Sequence, residues 1–153
     1  MTEEKDYCYT VPGKMALPYQ YFAGATGSKF IVALRDEKKI LAVKSASSGR
    51  TLLPPRQVDD LTFENLSDSW VEVGNEGVVT GFTVVRYAEP YQPKEPPFVL
   101  ALIKLDGADT AITHLLECGD VANAKIGQRV KAVFADVPVN NILEIKHFVP
   151  MAG

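Results

Sequence analysis

Two histidines, two cysteines and a pair of adjacent aspartates are the groups in this chain whose types suit catalysis, and each stands apart from an obvious partner. His114 lies between Thr113 and Leu115 in a strand-like run, and His147 between Lys146 and Phe148. General acid–base work needs a second group within hydrogen-bond reach, and neither histidine comes with a motif that supplies one. Cys118, between Glu117 and Gly119, would act as a nucleophile only if cationic neighbours depressed its pKa; the plainer reading is a small buried hydrophobe. Cys8 sits in an N-terminal arm and reads as incidental. Asp59 and Asp60 imitate a carboxylate pair, but neighbours on an extended segment point to opposite faces, which makes a turn or cap the simpler role. The pattern predicts no catalytic residues, and a hydrolase or transferase built on Cys118 or His114 would have to show turnover by the isolated chain.

The cations are more suggestive. Lys44, Arg50 and Arg56 flank the segment from Ser45 to Thr62, and Arg86-Tyr87 closes a strand beside a proline-rich loop. Guanidinium groups suit phosphate because their planar donors bind two oxygens at once. The alternative is a solvated rim or a salt bridge to Asp59 or Asp60. The segment they flank has the outline of a zinc ribbon, with a tight turn at Gly49, a Pro54-Pro55-Arg56 return and small or turn-forming residues at ligand spacing, but it holds no cysteine.

At 153 residues, 46% hydrophobic and 23% charged, the chain can bury a real core in one domain with a small appendage. A formal charge of -3 argues against a protein held to nucleic acid by its phosphates. Cys8 and Cys118 are the one pair available for a disulfide, and Met1 to Asp6 lacks the basic and apolar regions of a secretory signal, so the cytoplasm is the expected compartment. No apolar run approaches the roughly 20 residues of a membrane-spanning helix.

The first fifteen residues are polar and aromatic without a clear period and read as an extended arm of the kind that docks onto something. Tyr7, Tyr9, Tyr19, Tyr21 and Phe22 make this end aromatic, and such residues serve equally as interface anchors or as packing against the chain's own barrel. Met15 to Gly27 predicts a short helix closed by glycine. Phe30 to Leu34 and Ile40 to Val43 predict two strands around a charged hairpin connector. From Trp70 the strands lengthen: Trp70 to Val73, Val78 to Arg86 with Gly81 as a bulge or bend, Phe98 to Leu105, Thr110 to Leu116, Arg129 to Val137 and Leu143 to Val149. The last two alternate apolar with charged residues, as an antiparallel sheet with one wet face requires. Phe98 to Ile103 does not alternate, which predicts burial on both faces and a cover outside the barrel. Two hairpins, with a long connection before the fourth barrel strand, make the expected fold a mainly β, five-stranded Greek-key OB barrel; a small open sandwich is the alternative. The expected divisions are an arm and helix over 1–27, a ribbon over 28–68 and a barrel over 69–153.

The order of these parts resembles the OB-fold family with an N-terminal rubredoxin-like zinc ribbon known as domain of unknown function thirty-five, from about Tyr19 to the end. Ser48-Gly49-Arg50 and Pro54-Pro55-Arg56 match its ribbon, Trp70 its barrel-opening aromatic, Gly77 to Val85 its Gly-x-Val-x-x-Phe-Thr-Val strand, and Lys125 to Phe134 its approach to the last hairpin. On that resemblance the four ligand positions fall at Ser45, Ser48, Asp59 and Thr62. Hydroxyls are poor ligands beside thiolates for a structural zinc, so no metal or other cofactor is expected. A structural zinc supplies roughly 10–16 kcal/mol in a small finger, and the expected offset is burial of Ile31, Ala33, Ile40, Ala42, Leu52, Leu53, Phe63 and Leu66, or a partner that clamps the ribbon.

Members of this family often accompany thiolase-like enzymes. The resemblance therefore implies a non-catalytic accessory subunit that docks on a thiolase-like catalytic subunit, with two copies of each, and helps form its acyl-CoA or CoA channel. Lys44, Arg50, Arg56, Arg86 and Tyr87 would then meet CoA or the partner. The other function to be weighed is a single-stranded nucleic-acid binder, since OB barrels often present aromatic platforms and basic grooves.

Overall fold

The structure, a computed structural model, describes residues 9–13, 15, 17 and 19–151. Its first regular element, helix α1 (Gly24–Val32), continues into a π turn over Ala33–Glu37. Residues 19–23 carry no regular structure. The helix expected over Met15 to Gly27 is thus displaced toward the C-terminus, and the strand expected at Phe30 to Leu34 is helical. Spacing explains the difference: Phe30, Ala33 and Leu34 recur at i, i+3 and i+4, and a helix brings all three to one buried face. Ile31 and Val32 favour a strand locally, but that packing overrides their propensity. The turn ends at Lys38, whose left-handed backbone (φ 55°) returns its N–H to the Ala33 carbonyl.

Strand β1 (Ile40–Lys44) is the centre of a small antiparallel sheet, with β2 (Thr51–Leu52) on one edge and β3 (Trp70–Val73) on the other. Trp70 pairs with Val43, so it belongs to this sheet and does not open the barrel. Its ring packs against a cluster of Val43, Leu52 and Leu66, its Nε1–H donates to the Ser67 carbonyl at 2.7 Å, and Lys29 Nζ stands 4.5 Å from the ring centre.

The remaining strands, β4 (Glu76–Val85), β5 (Phe98–Leu105), β6 (Ile112–Leu116), β7 (Arg129–Phe134) and β8 (Ile145–Pro150), close in the order β4-β5-β6-β8-β7. Only β6 and β8 run parallel, through Leu116 and Phe148. This is the Greek-key OB barrel expected from the sequence. The register of β4 against β5 shifts between Val79 and Gly81, where the mid-strand glycine marks a bulge. Gly77 lies at the seam, opposite Leu105 of β5 and Val130 of β7.

On β5, Val99, Ala101, Ile103 and Leu105 are buried, Leu100 is half-buried and Leu102 is 46% exposed. The expected two-faced burial therefore fails beyond Phe98 and Val99. The strand does alternate in space, but leucine occupies outward positions that a polar residue would have revealed.

One hydrophobic cluster runs from Phe30, Leu34, Ile40 and Leu53 through Val79 and Ile103 to Phe148, so helix, small sheet and barrel share a core. Hydrogen bonds tie the small sheet to the β5–β6 turn. Thr51 N–H donates to Asp109 Oδ2 and Asp109 N–H to the Thr51 carbonyl, both at 2.8 Å. Thr110 Oγ1 accepts from Leu53 N–H at 2.7 Å and donates to the Leu53 carbonyl at 2.8 Å. Leu53 is fully buried, so Thr110→Val leaves its N–H and carbonyl without their partner. We expect a loss of about 2–4 kcal/mol, read as a thermal midpoint lower by roughly 4–16 °C.

Glu144 performs a similar task at the opposite end. Fully buried, it accepts the Val139 and Asn140 N–H groups on Oε1 at 2.7 Å each, while Oε2 lies 3.9 Å from Lys38 Nζ. One carboxylate thus fastens the β7–β8 connection to the exit of the helix. Among the described residues no helix is long and apolar enough to cross a membrane.

Candidate functional site

Two facing turns build the ribbon. In the first, Ser45 N–H donates to the Arg50 carbonyl at 2.9 Å and Gly49, at φ 73°, donates its N–H to the Ser45 carbonyl at 3.0 Å. In the second, Asp59 N–H donates to the Glu64 carbonyl and Phe63 N–H to the Asp59 carbonyl, both at 3.0 Å. Three of the four positions assigned to ligands meet between these turns. The Ser48 hydroxyl donates to Asp59 Oδ2 at 2.5 Å, Ser48 N–H donates to Ser45 Oγ at 3.0 Å, and the Ser45 hydroxyl donates to Glu64 Oε2 at 2.7 Å. Ser45 and Asp59 are fully buried.

Thr62, the fourth assigned position, is exposed and outside this cluster. Glu64 takes its place, also accepting the Ser47 N–H at 2.9 Å and the Ala46 N–H at 3.2 Å. The backbone explains the change. The turn that returns Phe63 N–H to Asp59 carries the chain outward at 62 and 63, and the next inward side chain is residue 64. Phe63 itself sits at φ 57° with its ring 83% exposed, so it adds nothing to the expected core. Ile31 is only half-buried, whereas Ala33, Ile40, Ala42, Leu52, Leu53 and Leu66 are buried as expected.

Both carboxyls are held below their ordinary values. For Asp59 the causes are the Ser45 and Ser48 hydroxyls and the Leu61 N–H, which outweigh burial, with the Arg50 guanidinium adding to them. For Glu64 they are the Ser45 hydroxyl and the Ser47 N–H, again against burial. Ser45 has one hydroxyl proton for two carboxylates. Its oxygen is 2.7 Å from Glu64, so the proton goes there, and Ser48 at 2.5 Å carries the larger share at Asp59.

This donor set does not fit zinc. Two of its four members are neutral hydroxyls whose protons are committed to carboxylates, and a metal would have to displace those protons without a thiolate to reward it. Among the described residues no three His, Cys, Asp or Glu side chains form a group able to hold a metal ion. Hydrogen bonds do here what a metal does in a ribbon: they cross-link the two turns.

The assigned cations divide into two sets. Arg50 Nη1 lies 3.0 Å from Asp60 and 3.7 Å from Asp59, and Arg56 Nη1 lies 3.5 Å from Asp60, so both arginines are engaged in the salt bridges the sequence offered as the alternative to phosphate. Lys44 and Arg86 are exposed and have no ion-pair partner among the described residues; Tyr87 is exposed beside Arg86.

The catalytic candidates are occupied elsewhere. His114 is buried, accepts the Leu115 N–H on Nδ1 at 2.9 Å and therefore carries its proton on Nε2, 3.2 Å from the Ile142 carbonyl; its ring meets Phe148 edge-on. Burial lowers its pKa, and the imidazole is neutral. His147 is half-buried, its pKa also lowered by burial. Cys118 donates its thiol to the Asp120 carbonyl at 3.3 Å, and burial raises its pKa, the opposite of what a nucleophile needs. Cys8 and Tyr7 lie outside the described residues. Asp59 turns inward and Asp60 outward, so they form no pair.

Open apolar surface is more abundant than reactive groups. Leu61 and Phe63 project from the second turn, Tyr87 and Tyr91 from the proline-rich loop, and Val137 and Val139 from the β7–β8 connection. A hollow of about 360 Å³ at that end of the barrel is lined by Pro93, Leu115, Val137, Val139, Leu143 and Lys146, among others.

A closed five-stranded barrel, joined through a shared core to a small three-stranded sheet, defines an OB-fold protein. Residues 70–135 match the family model described as the C-terminal OB-fold domain of ChsH2. Among solved structures the chain is similar to a protein of unknown function from the DUF35 family of Sulfolobus solfataricus, at 23% identity and a TM-score of 0.58, covering 72% of this chain and 78% of that one. It is also similar to a chain of the Ltp2-ChsH2(DUF35) aldolase, at 18% identity and a TM-score of 0.60, covering 81% of this chain and 90% of that one. No curated protein matches the chain.

Proposed function

We propose that this chain is a non-catalytic accessory subunit of a thiolase-like acyl-CoA enzyme, on whose catalytic subunit it docks to help form the acyl-CoA or CoA channel. One observation carries the reading: 81% of this chain matches in fold 90% of a chain of the Ltp2-ChsH2(DUF35) aldolase, and residues 70–135 match the ChsH2 domain model. The residues support it. The histidines and Cys118 serve packing, while wide apolar surfaces are left open, as suits a chain whose chemistry is done by its partner. The simplest assembly has two copies of each subunit about a two-fold axis, in the cytoplasm, with the ribbon free of metal. Lys44 and Arg86, exposed and without an ion-pair partner among the described residues, are the cations to meet the CoA phosphates; Arg50 and Arg56 brace the ribbon through Asp60.

Co-expression with a thiolase-like subunit tests this directly. The expected result is a hetero-oligomer that co-purifies and turns over acyl-CoA, while the isolated chain turns over none. Turnover of an acyl thioester by the isolated chain, or failure to associate with every such subunit, overturns the proposal. Binding to single-stranded oligonucleotide with a steep salt dependence would favour the nucleic-acid reading instead.

A further inference from the structure

The N-terminal arm carries a period that the expectation of a helix hides. Reading the sequence by parity, the odd positions are Tyr9, Val11, Gly13, Met15, Leu17, Tyr19 and Tyr21, while the even positions Thr10, Pro12, Lys14, Ala16, Pro18 and Gln20 are polar, small or proline. The alternation ends at Phe22, an apolar residue at an even position. Such a period of two means nothing in a helix, and the region was expected to be partly helical. The described residues of this segment have no helix. The rings of Tyr19 and Tyr21 lie 6.2 Å apart, as side chains two residues apart on one face of an extended chain do.

All the large odd side chains are unburied: Tyr9, Val11, Met15, Leu17, Tyr19 and Tyr21 are each 72–87% exposed. Three tyrosines at roughly 150–250 Å² each, with a valine, a methionine and a leucine, offer on the order of 800 Å², one partner's share of a standard protein interface.

The prolines add direction. In a paired strand, alternate residues turn their N–H and C=O to the same neighbour. Pro12 and Pro18 share even parity, so the N–H groups they lack fall on one edge, and the odd-residue edge keeps its donors. The segment is thus competent to pair on one side only, with its apolar face and its intact edge supplied by the same residues.

A second copy of this chain offers no matching edge besides its own arm, and a two-stranded pairing of arms is marginal in water and leaves the apolar face uncovered. Its barrel is closed, and its small sheet ends in edge strands of two and four residues, against an arm that spans roughly 40 Å from Tyr9 to Tyr21 when extended.

We propose that residues 9–21 add as a one-sided edge strand to a different protein subunit, one with a free strand edge beside an apolar surface, laying the odd side chains on that surface and turning the proline edge to solvent. This deepens the accessory-subunit reading and rests on it, naming the element that docks.

The test compares three full-length proteins binding to the thiolase-like subunit: wild type, an odd-face variant (Leu17→Ser, Tyr19→Ser, Tyr21→Ser) and an even-face variant (Thr10→Ala, Gln20→Ala). All three should melt alike, since these side chains lie outside the core. We expect the odd-face variant to bind at least 100-fold more weakly and the even-face variant within threefold of wild type. In the wild-type complex, amide exchange should slow at Val11, Gly13, Leu17 and Tyr19 and remain fast at Thr10 and Gln20. If wild type binds and the odd-face variant binds equally well, or if exchange slows without regard to parity, the arm proposal is overturned and the accessory role stands. If wild type fails to bind, both fall. Loss of oligonucleotide binding in the odd-face variant, with none of the subunit binding, also overturns it.

Discussion

Replacing Asp59 with alanine is expected to lower the thermal midpoint by about 5–10 °C, because hydrogen bonds to an ionised acceptor are among the stronger ones in a fold. Asp59 accepts from the Ser48 hydroxyl at 2.5 Å and the Leu61 N–H at 2.9 Å, and stands 3.7 Å from Arg50. Its removal also leaves the Ser48 hydroxyl and the Leu61 N–H without that acceptor. Ser48→Ala removes one of those bonds and should cost about half as much. Acid should act in the same place. In the folded protein Asp59 and Glu64 titrate below their ordinary values of 3.8 and 4.5, so the unfolded chain takes up protons first as pH falls. The cluster's contribution is therefore complete above about pH 4.5 and is lost as pH drops through the lowered folded values. Thermal melts from pH 7 to pH 2 should show this acid limb, shallower in Asp59→Asn, while a chelator at pH 7 leaves the midpoint unmoved. A midpoint that falls with chelator would mean that a metal supplies the cross-link and that the hydrogen-bonded cluster does not.

Gly77→Ala is expected to be at least as damaging, for steric reasons. An ideal Cβ at this position would lie 2.4 Å from the Lys104 carbonyl oxygen and 2.8 Å from Leu105 Cα. These are backbone atoms of β5, so no rotamer change relieves the overlap and the seam itself must open. Gly77 faces Leu105 on one side and Val130 on the other, which makes it the residue through which β4 closes the barrel. Overpacking of this kind costs about 3 kcal/mol, or a midpoint lower by roughly 6–12 °C for a chain of this size. Gly74→Ala is the control: its nearest neighbours lie 4.0 Å away, and a shift within about 0.5 kcal/mol is expected. Equal melting of the two variants would show that the close approach at Gly77 relaxes at no cost.

Local pattern alone carried much of the architecture. The strands from Trp70 onward, the two hairpins, the bulge at Gly81 and the Greek-key closure follow from alternation, turn residues and spacing, which report on neighbours a few positions away. The lack of thiolates at the ribbon was equally plain, since residue type alone decides it. What the sequence could not rank were contacts between distant residues. Phe30 to Leu34 satisfies a strand by propensity and a helix by spacing, and only the core shared with Ile40, Leu53 and the barrel selects the helix. Glu64 replaces Thr62 because a left-handed residue at Phe63 shifts which side chain faces inward. Arg50 and Arg56 read as phosphate ligands until Asp60 is seen to occupy them. The arm shows the converse: its period of two was written in the residues, but the helix expected across it hid that period until the helix proved to begin at Gly24. Residue type and short-range rhythm fix which elements are available; the choice among them rests on side chains far apart in sequence, and packing alone brings those together.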